Sequence, residues 1–403
     1  MRRGIFGSAI GFLLAGVLAA GPASAACRNT GNFQQWLDAF RREALAQGIS
    51  PTTLAAATPR MTFDAGTIAK DRGQGVFSQT FLQFSDRMVA SYRLQQGANL
   101  IRQHGAIFSR IEQQYGVPAP VIVAFWGLET DFGSNIGNLP TLRSVTTLAY
   151  DCRRPDLFRK ELLSALRVIQ RGDLRPDEMI GPWAGELGQF QFLPSHYMDY
   201  AVDFDGDGRR DLLHSTPDAL ASAANILANF GWQRGQPWLR EVRVPASMPW
   251  EQADLAIQHP HSRWASWGVT LADGRPLSGD SVPASLVLPM GRLGPAFLAY
   301  PNFQAYLKWN QSLVYSTTAA YFATRLNGAP AAHRGNGKVA VLSAEQVREL
   351  QRQLIRLGYK VGEADGKLGL GTRAGVKAVQ IKLGLPADSY PTPDLVERIR
   401  ALP

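Results

Sequence analysis

The chain has 403 residues, 45% of them hydrophobic and 19% charged, with a formal net charge of +9. Such a chain is globular rather than disordered and long enough for two or three domains. The positive balance suits an anionic polymer, nucleic acid or acidic cell wall. No phosphate-binding loop, G-x-S-x-G element or nucleic-acid motif accompanies it.

Arg2 and Arg3, the apolar run from Ile10 to Ala20, and Ala23-Ser24-Ala25 read together as a secretory signal over residues 1–25. The run is short for a membrane span, and its removal with the two arginines would leave a net charge of +7. Cys27 follows Ser24-Ala25-Ala26, which lacks the aliphatic residue that opens a lipobox. The expectation is therefore a soluble periplasmic protein rather than an outer-membrane lipoprotein. Cys27 and Cys152 are the only cysteines, so an oxidising compartment offers them one intramolecular pairing, the alternative being two thiols.

Residues 32 to 58 read as helical, with Phe33, Trp36, Leu37 and Phe40 on one face and Ser50-Pro51 opening a second helix. Helical periodicity runs from Tyr92 to Tyr115, over 158–171 and over 217–230. Strand signals are sparse, mainly Val269 to Leu271 and Leu286 to Leu288. The nearly uncharged run Val117 to Leu128 carries Pro118 and Pro120 where a first helical turn tolerates them. It ends in Phe125-Trp126-Gly127-Leu128-Glu129-Thr130-Asp131-Phe132-Gly133. A carboxyl beside buried aromatics is desolvated, which favours its neutral form and suits a general acid. An exposed Glu closing a helix is the other reading.

Asp203-Phe204-Asp205-Gly206-Asp207-Gly208-Arg209-Arg210-Asp211 has oxygen ligands at positions one, three, five and nine of an EF-hand-like loop. Gly208 stands at the sharp sixth position, and the Arg209 carbonyl would serve as the seventh. His214 replaces the usual terminal Glu. His259-Pro260-His261 has no partner at zinc-type spacing. Residues 328–340 are small, polar and Pro/Gly-containing, a linker signature. Beyond them Ser343 and Gln346 form a capping box ahead of Val347, Leu350, Leu354 and Leu357 on one helical stripe.

WGLETDFG, followed by GPWAGELGQFQFLPSHYMDYAVDFDGDG, resembles the membrane-bound lytic murein transglycosylase B family across roughly residues 30 to 330. The resemblance implies a mainly α, lysozyme-like catalytic domain with a small β element over 26–327. It also implies cleavage of the MurNAc-β-1,4-GlcNAc bond of peptidoglycan without water, giving 1,6-anhydromuramoyl ends. Glu129 would be the acid and then the base. Glu186 occupies a place that is usually small in that family and is given no catalytic role. Gln191 and Phe192 match substrate-contacting positions, as do Trp309 and Tyr315, although the first of these aromatics is commonly Tyr. Pro182 stands where the family often has Ser, a departure from its pattern at one polar position. Helix packing and aromatic core packing remain the other readings of these four residues. The loop of the family is longer, spanning 203–218 here, so Asp203, Asp205, Asp207, the Arg209 carbonyl and Asp218 would hold a structural Ca²⁺; the other reading is a solvated acidic turn.

LQRQLIRLGYKVGEADGKLGLGTRAGVKAVQ resembles the small three-helix peptidoglycan-binding domain, here 341–403. Its hallmarks are Leu350-Gln351, Leu357-Gly358-Tyr359, Asp365-Gly366, Gly369 and Thr372. Val379 replaces the usual aromatic before Gln380, and the second half, Pro386 to Thr392, is degenerate. The implied partners are peptidoglycan glycan strands and no nucleic acid, with no organic cofactor. A hydrolytic muramidase on the same scaffold and a non-catalytic cell-wall-binding protein remain as alternatives.

Overall fold

The structure is a computed structural model, and it describes residues 32–73, 79–277 and 282–402. The proposed signal and Cys27 lie outside the described residues. The described part is mainly helical, with two small antiparallel sheets. No described helix is long and apolar enough to cross a membrane. The chain divides into two compact units. One comprises the residues up to Gln74, Gly105–Tyr115 and Phe125–Ile226; the other comprises Gly75–His104, Gly116–Ala124 and Leu227–Pro403.

The first unit opens with helix Phe33–Ala46, whose first turn is closed by the Asn32 side chain accepting from Gln35 N. Helix Pro51–Ala57 follows, capped by Ser50 with Pro51 at its first position. Phe33, Trp36, Phe63 and Tyr150 meet through stacked and edge-on rings. Helix Pro155–Arg171 packs against helices Thr141–Tyr150 and Pro194–Tyr200. It stops at Gly172, whose φ of 85° supplies the left-handed residue that releases the chain. A two-stranded sheet pairs Leu139 with Gly181 and Pro140 with Ile180, bringing the start of helix Thr141–Tyr150 beside the Gly181–Ser195 segment.

In the second unit a four-stranded antiparallel sheet runs in the order Thr270–Leu271, Leu239–Arg243, Ala296–Ala299, Ser285–Val287. It covers a core that includes Trp250, Trp264, Leu286, Leu298 and Tyr300. The sequence signals at Val269 to Leu271 and Leu286 to Leu288 find two of these strands. Leu239–Arg243 was not evident because Arg240 and Arg243 are exposed and only Leu239 and Val242 are buried. The periodic stretch from Tyr92 to Tyr115 is two helices, Ser91–Gln103 and Gly105–Tyr115, interrupted at His104. Helix Leu313–Leu326 packs on Phe81–Met88 and Ser91–Gln103. Gly97 permits this approach, since a Cβ there would lie 3.0 Å from Leu326 Cδ2.

Helices Ala344–Arg356, Leu370–Lys382 and Pro393–Arg400 enclose a core of Val347, Leu350, Leu354, Val376, Val379 and Ile399. The capping box of Ser343 and Gln346 is present. The amide of Gln351 explains the other hallmarks. It donates to Asp365, the Lys367 carbonyl and Thr372, and accepts from Gly366 N at 2.8 Å. Gln380 repeats the device, donating to Asp388 and the Tyr390 carbonyl while accepting from Ser389 N. The degenerate second half thus keeps its polar staple without the usual residues around it.

The segment before this module is hydrogen-bonded along its length. Arg334 pairs with Asp86 at 3.0 Å, His333 N donates to Glu241, and Asn336 N donates to Leu293 O at 2.8 Å. The module itself contacts the sheet region through Arg373, which donates to the carbonyls of Leu288 and Pro289. Lys377 pairs with Asp254 at 2.6 Å, and Asp388 accepts from Arg292 N.

Candidate active site

Helix Ala119–Thr130 is apolar on every side, and Val121 to Leu128 are all buried, as a helix without a polar stripe requires. Glu129, in its last turn, is half-buried. Asp131 and Phe132 then take positive φ values of 51° and 61°, followed by Gly133 at 85°. Two successive non-glycine residues in this region need support from their surroundings. Phe132 N donates to Trp126 O at 3.1 Å, Asn135 N to Thr130 O at 2.9 Å, and Gly133 N to the Thr130 hydroxyl at 2.9 Å. Asp131 therefore lies beyond the end of the helix.

The Gly181–Ser195 segment is stitched to this turn. The Thr130 hydroxyl donates to Gln189 O at 2.7 Å, and Phe190 stacks on Trp126 with centroids 6.3 Å apart. Leu187 and Phe192 exchange backbone hydrogen bonds of 2.8 and 2.9 Å across a tight turn. Gly188 must be glycine there: its φ is 76°, and a Cβ would lie 2.5 Å from Leu212 O. Gln191 has a φ of 53° and donates to Gly188 O at 2.9 Å and Ile136 O at 3.4 Å. A strained, half-buried Gln beside the Glu129 turn is the kind of outlier that marks functional sites. Phe192 is buried at 2% exposure and meets the His196 ring edge-on.

Two carboxyls that sequence reasoning left without a role are buried here. Glu161 is 1% exposed and accepts from Ser195 N at 2.8 Å and Ser195 Oγ at 2.9 Å, anchoring the end of the segment. Burial pushes its carboxyl up, against the two hydrogen bonds. Glu186 is 8% exposed, and its Oε2 has no hydrogen-bond partner. Burial, then the nearby charge of Glu129, push its carboxyl up to about 7. Its signal in the sequence was a lone Glu inside the uncharged Pro182-Trp183-Ala184-Gly185-Glu186-Leu187-Gly188.

In the acidic loop, ligand atoms of Asp203, Asp205 and Asp218 lie within 4.8 Å of one another. Asp203 accepts from Gly206 N and Gly208 N. Asp218, fully buried, accepts from Phe204 N, Asp205 N and Asp211 N. Burial and the Asp205 charge raise its carboxyl, in spite of those bonds. Asp207 falls outside the group and accepts from Arg209 N at 2.8 Å, while Asp211 accepts from Leu213 N and His214 N. The Arg209 side chain turns away to Asp173 O and Glu178. Three converging carboxylates, one of them buried, make an oxygen donor set that fits a hard cation such as Ca²⁺.

Trp309 and Tyr315 belong to the second unit. Trp309 ends helix Phe303–Trp309 and is half-buried; Tyr315 is 1% exposed near the start of helix Leu313–Leu326. Cys152 is disulfide-bonded.

The model of the transglycosylase SLT domain family matches residues 32–324, and that of a putative peptidoglycan binding domain matches residues 343–399. Membrane-bound lytic murein transglycosylase B of Escherichia coli K12 is 28% identical over 297 residues, 72% of this chain and 80% of that protein. The crystal structure of SltB3 from Pseudomonas aeruginosa in complex with NAG-anhNAM-pentapeptide is 42% identical. It aligns over 92% of this chain and 100% of its own, with a TM-score of 0.84. The Escherichia coli lytic transglycosylase Slt35 in complex with calcium is 26% identical, over 75% of this chain and 94% of its own, with a TM-score of 0.62. With a match that spans most of its length, the chain belongs to the transglycosylase SLT domain family.

Proposed function

We propose that this peptidoglycan lytic transglycosylase cleaves the MurNAc-β-1,4-GlcNAc bond with Glu129 as acid and then base, releasing a 1,6-anhydromuramoyl end. The observation that carries the reading is Glu129 itself, half-buried in the last turn of an apolar helix whose next residue, Thr130, is hydrogen-bonded to the turn bearing Gln191. Glu129 gives its proton to the glycosidic oxygen as the C1–O bond breaks, and the substrate's N-acetyl group stabilises the cationic centre. The muramoyl C6 hydroxyl then attacks C1 and returns its proton to Glu129, so no water is consumed. Holding both ends of that attack in one sugar supplies a high effective molarity. Gln191 would hold a sugar hydroxyl or amide with Phe192 beside it, and Trp309 and Tyr315, in the second unit, would be substrate-contacting aromatics of their own.

Asp203, Asp205 and Asp218 would hold Ca²⁺, with the Arg209 carbonyl as a further ligand and Asp207 as an outer one; the ion would tie the loop to helix Thr216–Asn229. Residues 341–403 would hold the enzyme on the wall beyond the 328–340 linker, and 1–25 would direct export to the periplasm, where Cys27 would pair with Cys152. A hydrolytic reading is favoured by one observation, the second carboxyl at Glu186, since hydrolases need a base for water. Against it, Glu186 is 8% exposed and its Oε2 is buried, which leaves little room for a water to activate. Mass spectrometry of digested peptidoglycan tests the reading: anhydro ends support it, and reducing ends replace it with hydrolysis.

A further inference from the structure

The C-terminal module uses one device twice, and the two copies meet different surroundings. Gln351 and Gln380 lie on the core helices Ala344–Arg356 and Leu370–Lys382. Each holds a following loop, Ala364-Asp365-Gly366-Lys367 in the first copy and Ala387-Asp388-Ser389-Tyr390 in the second. Asp365 Oδ1 accepts from Gln351 and from Lys367 N, as Asp388 Oδ1 accepts from Gln380 and from Tyr390 N. Gly366 and Ser389, at matching places, both have positive φ, 78° and 62°. One turn before each Gln stands a cation, Arg348 or Lys377. The second copy is occupied. Its Asp388 Oδ2 accepts from Arg292 N at 3.0 Å, and Lys377 pairs with the Asp254 carboxylate at 2.6 Å. It thus holds a peptide N–H and a carboxylate. The peptide approaches through Gly291, whose φ is 72° and where a Cβ would lie 2.7 Å from Tyr390 Cβ and 2.9 Å from Asp388 Oδ2. The first copy presents the same pair of groups to solvent. Asp365 and Lys367 are exposed, and among the described residues Asp365 Oδ2 has no hydrogen-bond partner. Arg348 lies at the same loop, its Nε 3.3 Å from where a Cβ on Gly366 would stand. Its ion pair with Glu345, which is 69% exposed, is a weak surface pair that a ligand can replace.

We propose that the first copy is the module's ligand site and takes a stem peptide of peptidoglycan, Asp365 Oδ2 accepting a peptide N–H and Arg348 binding a free carboxylate. The proposal rests on the reading of residues 341–403 as a wall-binding module. The chain's own Arg292 N–H and Asp254 carboxylate are the pattern for that ligand, because the second copy already holds them with the matching groups. Stem peptides carry amide N–H groups and free carboxylates, and a guanidinium beside a carboxylate acceptor meets both. They also contain D-residues, for which positive φ is the unstrained side of backbone space. A D-residue in the place of Gly291 would put its Cβ on the other hydrogen, not the one facing Tyr390 and Asp388. Arg373, which takes the carbonyls of Leu288 and Pro289 in the second copy, has Ala344 as its counterpart in the first. The first copy therefore lacks the contact that makes the second a permanent joint, and its ligand can leave. One half of the module fastens it to the sheet region, and the other is left for the wall.

The test is binding of the free stem pentapeptide ending in D-Ala-D-Ala, which has no glycosidic bond to cleave, to the full chain as wild type, Asp365→Asn and Arg348→Gln. Asp365→Asn keeps the oxygen that Gln351 and Lys367 use and turns the other into an amide. Each variant should weaken binding about tenfold, the usual effect of losing one charge-assisted hydrogen bond, with an unchanged melting temperature. If Asp365→Asn melts lower, Arg348→Gln, which lies outside the staple, carries the test. The all-L form of the pentapeptide should bind wild type about tenfold more weakly, since its residues are strained at positive φ. No measurable affinity in wild type overturns the proposal, as does equal affinity for the two peptide forms or undiminished affinity in Arg348→Gln. Sedimentation with intact sacculi, in a Glu129→Gln background so that nothing is digested, keeps this proposal apart from the reading it rests on. Absence of sedimentation removes the wall-binding reading and the proposal together. Sedimentation that both module variants retain in full removes only the stem-peptide site, and a loss in both supports it.

Discussion

The hydroxyl of Thr130 donates to the backbone carbonyl of Gln189 at 2.7 Å and accepts from Gly133 N at 2.9 Å. One side chain, next in sequence to Glu129, therefore fixes both the left-handed exit from the helix and the turn that carries Gln191. Thr130→Val keeps the shape and leaves the buried Gln189 carbonyl and the half-buried Gly133 N–H unmet. It should destabilise the protein by roughly 1–3 kcal/mol and lower kcat more than it raises KM. Chemical denaturation with steady-state kinetics checks this; a neutral substitution would mean that the turn is held by other contacts.

Glu186 makes a stability prediction independent of catalysis. Its carboxyl stands at about 7 in the folded protein against 4.5 for an unburied one. Because the folded value is raised, its contribution is fully present below about 4.5 and is lost as pH climbs through about 7. The loss is roughly 3 kcal/mol by the usual conversion. Glu186→Gln, which never ionises, should melt higher than wild type at alkaline pH, with the gap closing on acidification. Parallel melting curves at all pH values would contradict this.

Calcium should raise the melting temperature by mass action if the acidic loop binds it only when folded. Asp203→Asn and Asp205→Asn should abolish the response, whereas Asp207→Asn, whose carboxylate lies outside the converging group, should only weaken it. Asp218→Asn should cost stability even without calcium, because Asp218 accepts from three backbone N–H groups. Melting curves with chelator and with calcium decide among these outcomes.

Arg373 joins the C-terminal module to the sheet region. It is buried, donates to the carbonyls of Leu288 and Pro289, and burial pushes its guanidinium down to about 10. Arg373→Met should leave the module folded around its own core but loosen it, so limited proteolysis within 328–342 should accelerate several-fold. Unaltered cleavage would mean that Lys377–Asp254 and Asp388–Arg292 hold the module without Arg373. Residues 341–402 alone should co-sediment with sacculi; recovery in the supernatant would remove the wall-binding assignment.

The helices around the site were legible because their signals are local: Ser50 and Ser343 cap where the sequence places caps, and Glu129 follows an apolar run that could only be buried. Gln191 was legible through the motif rather than through periodicity, since its left-handed backbone follows no helical or strand pattern. What was not legible depends on distant partners. Glu186 looked unremarkable until folding buried it with no donor for Oε2. Strand Leu239–Arg243 was hidden by its charged exposed positions, and the anchoring of 333–337 depends on Asp86, Glu241 and Leu293, which spacing cannot reveal.

The central claim is that Glu129 carries both proton transfers, and its most direct test is product release from peptidoglycan by Glu129→Gln. The substitution removes the transferable proton and little else. The account predicts a folded protein with wild-type melting behaviour that still binds glycan, with turnover lower by several orders of magnitude and no detectable 1,6-anhydromuramoyl product. Anhydro product formed at a rate within about tenfold of wild type would contradict it.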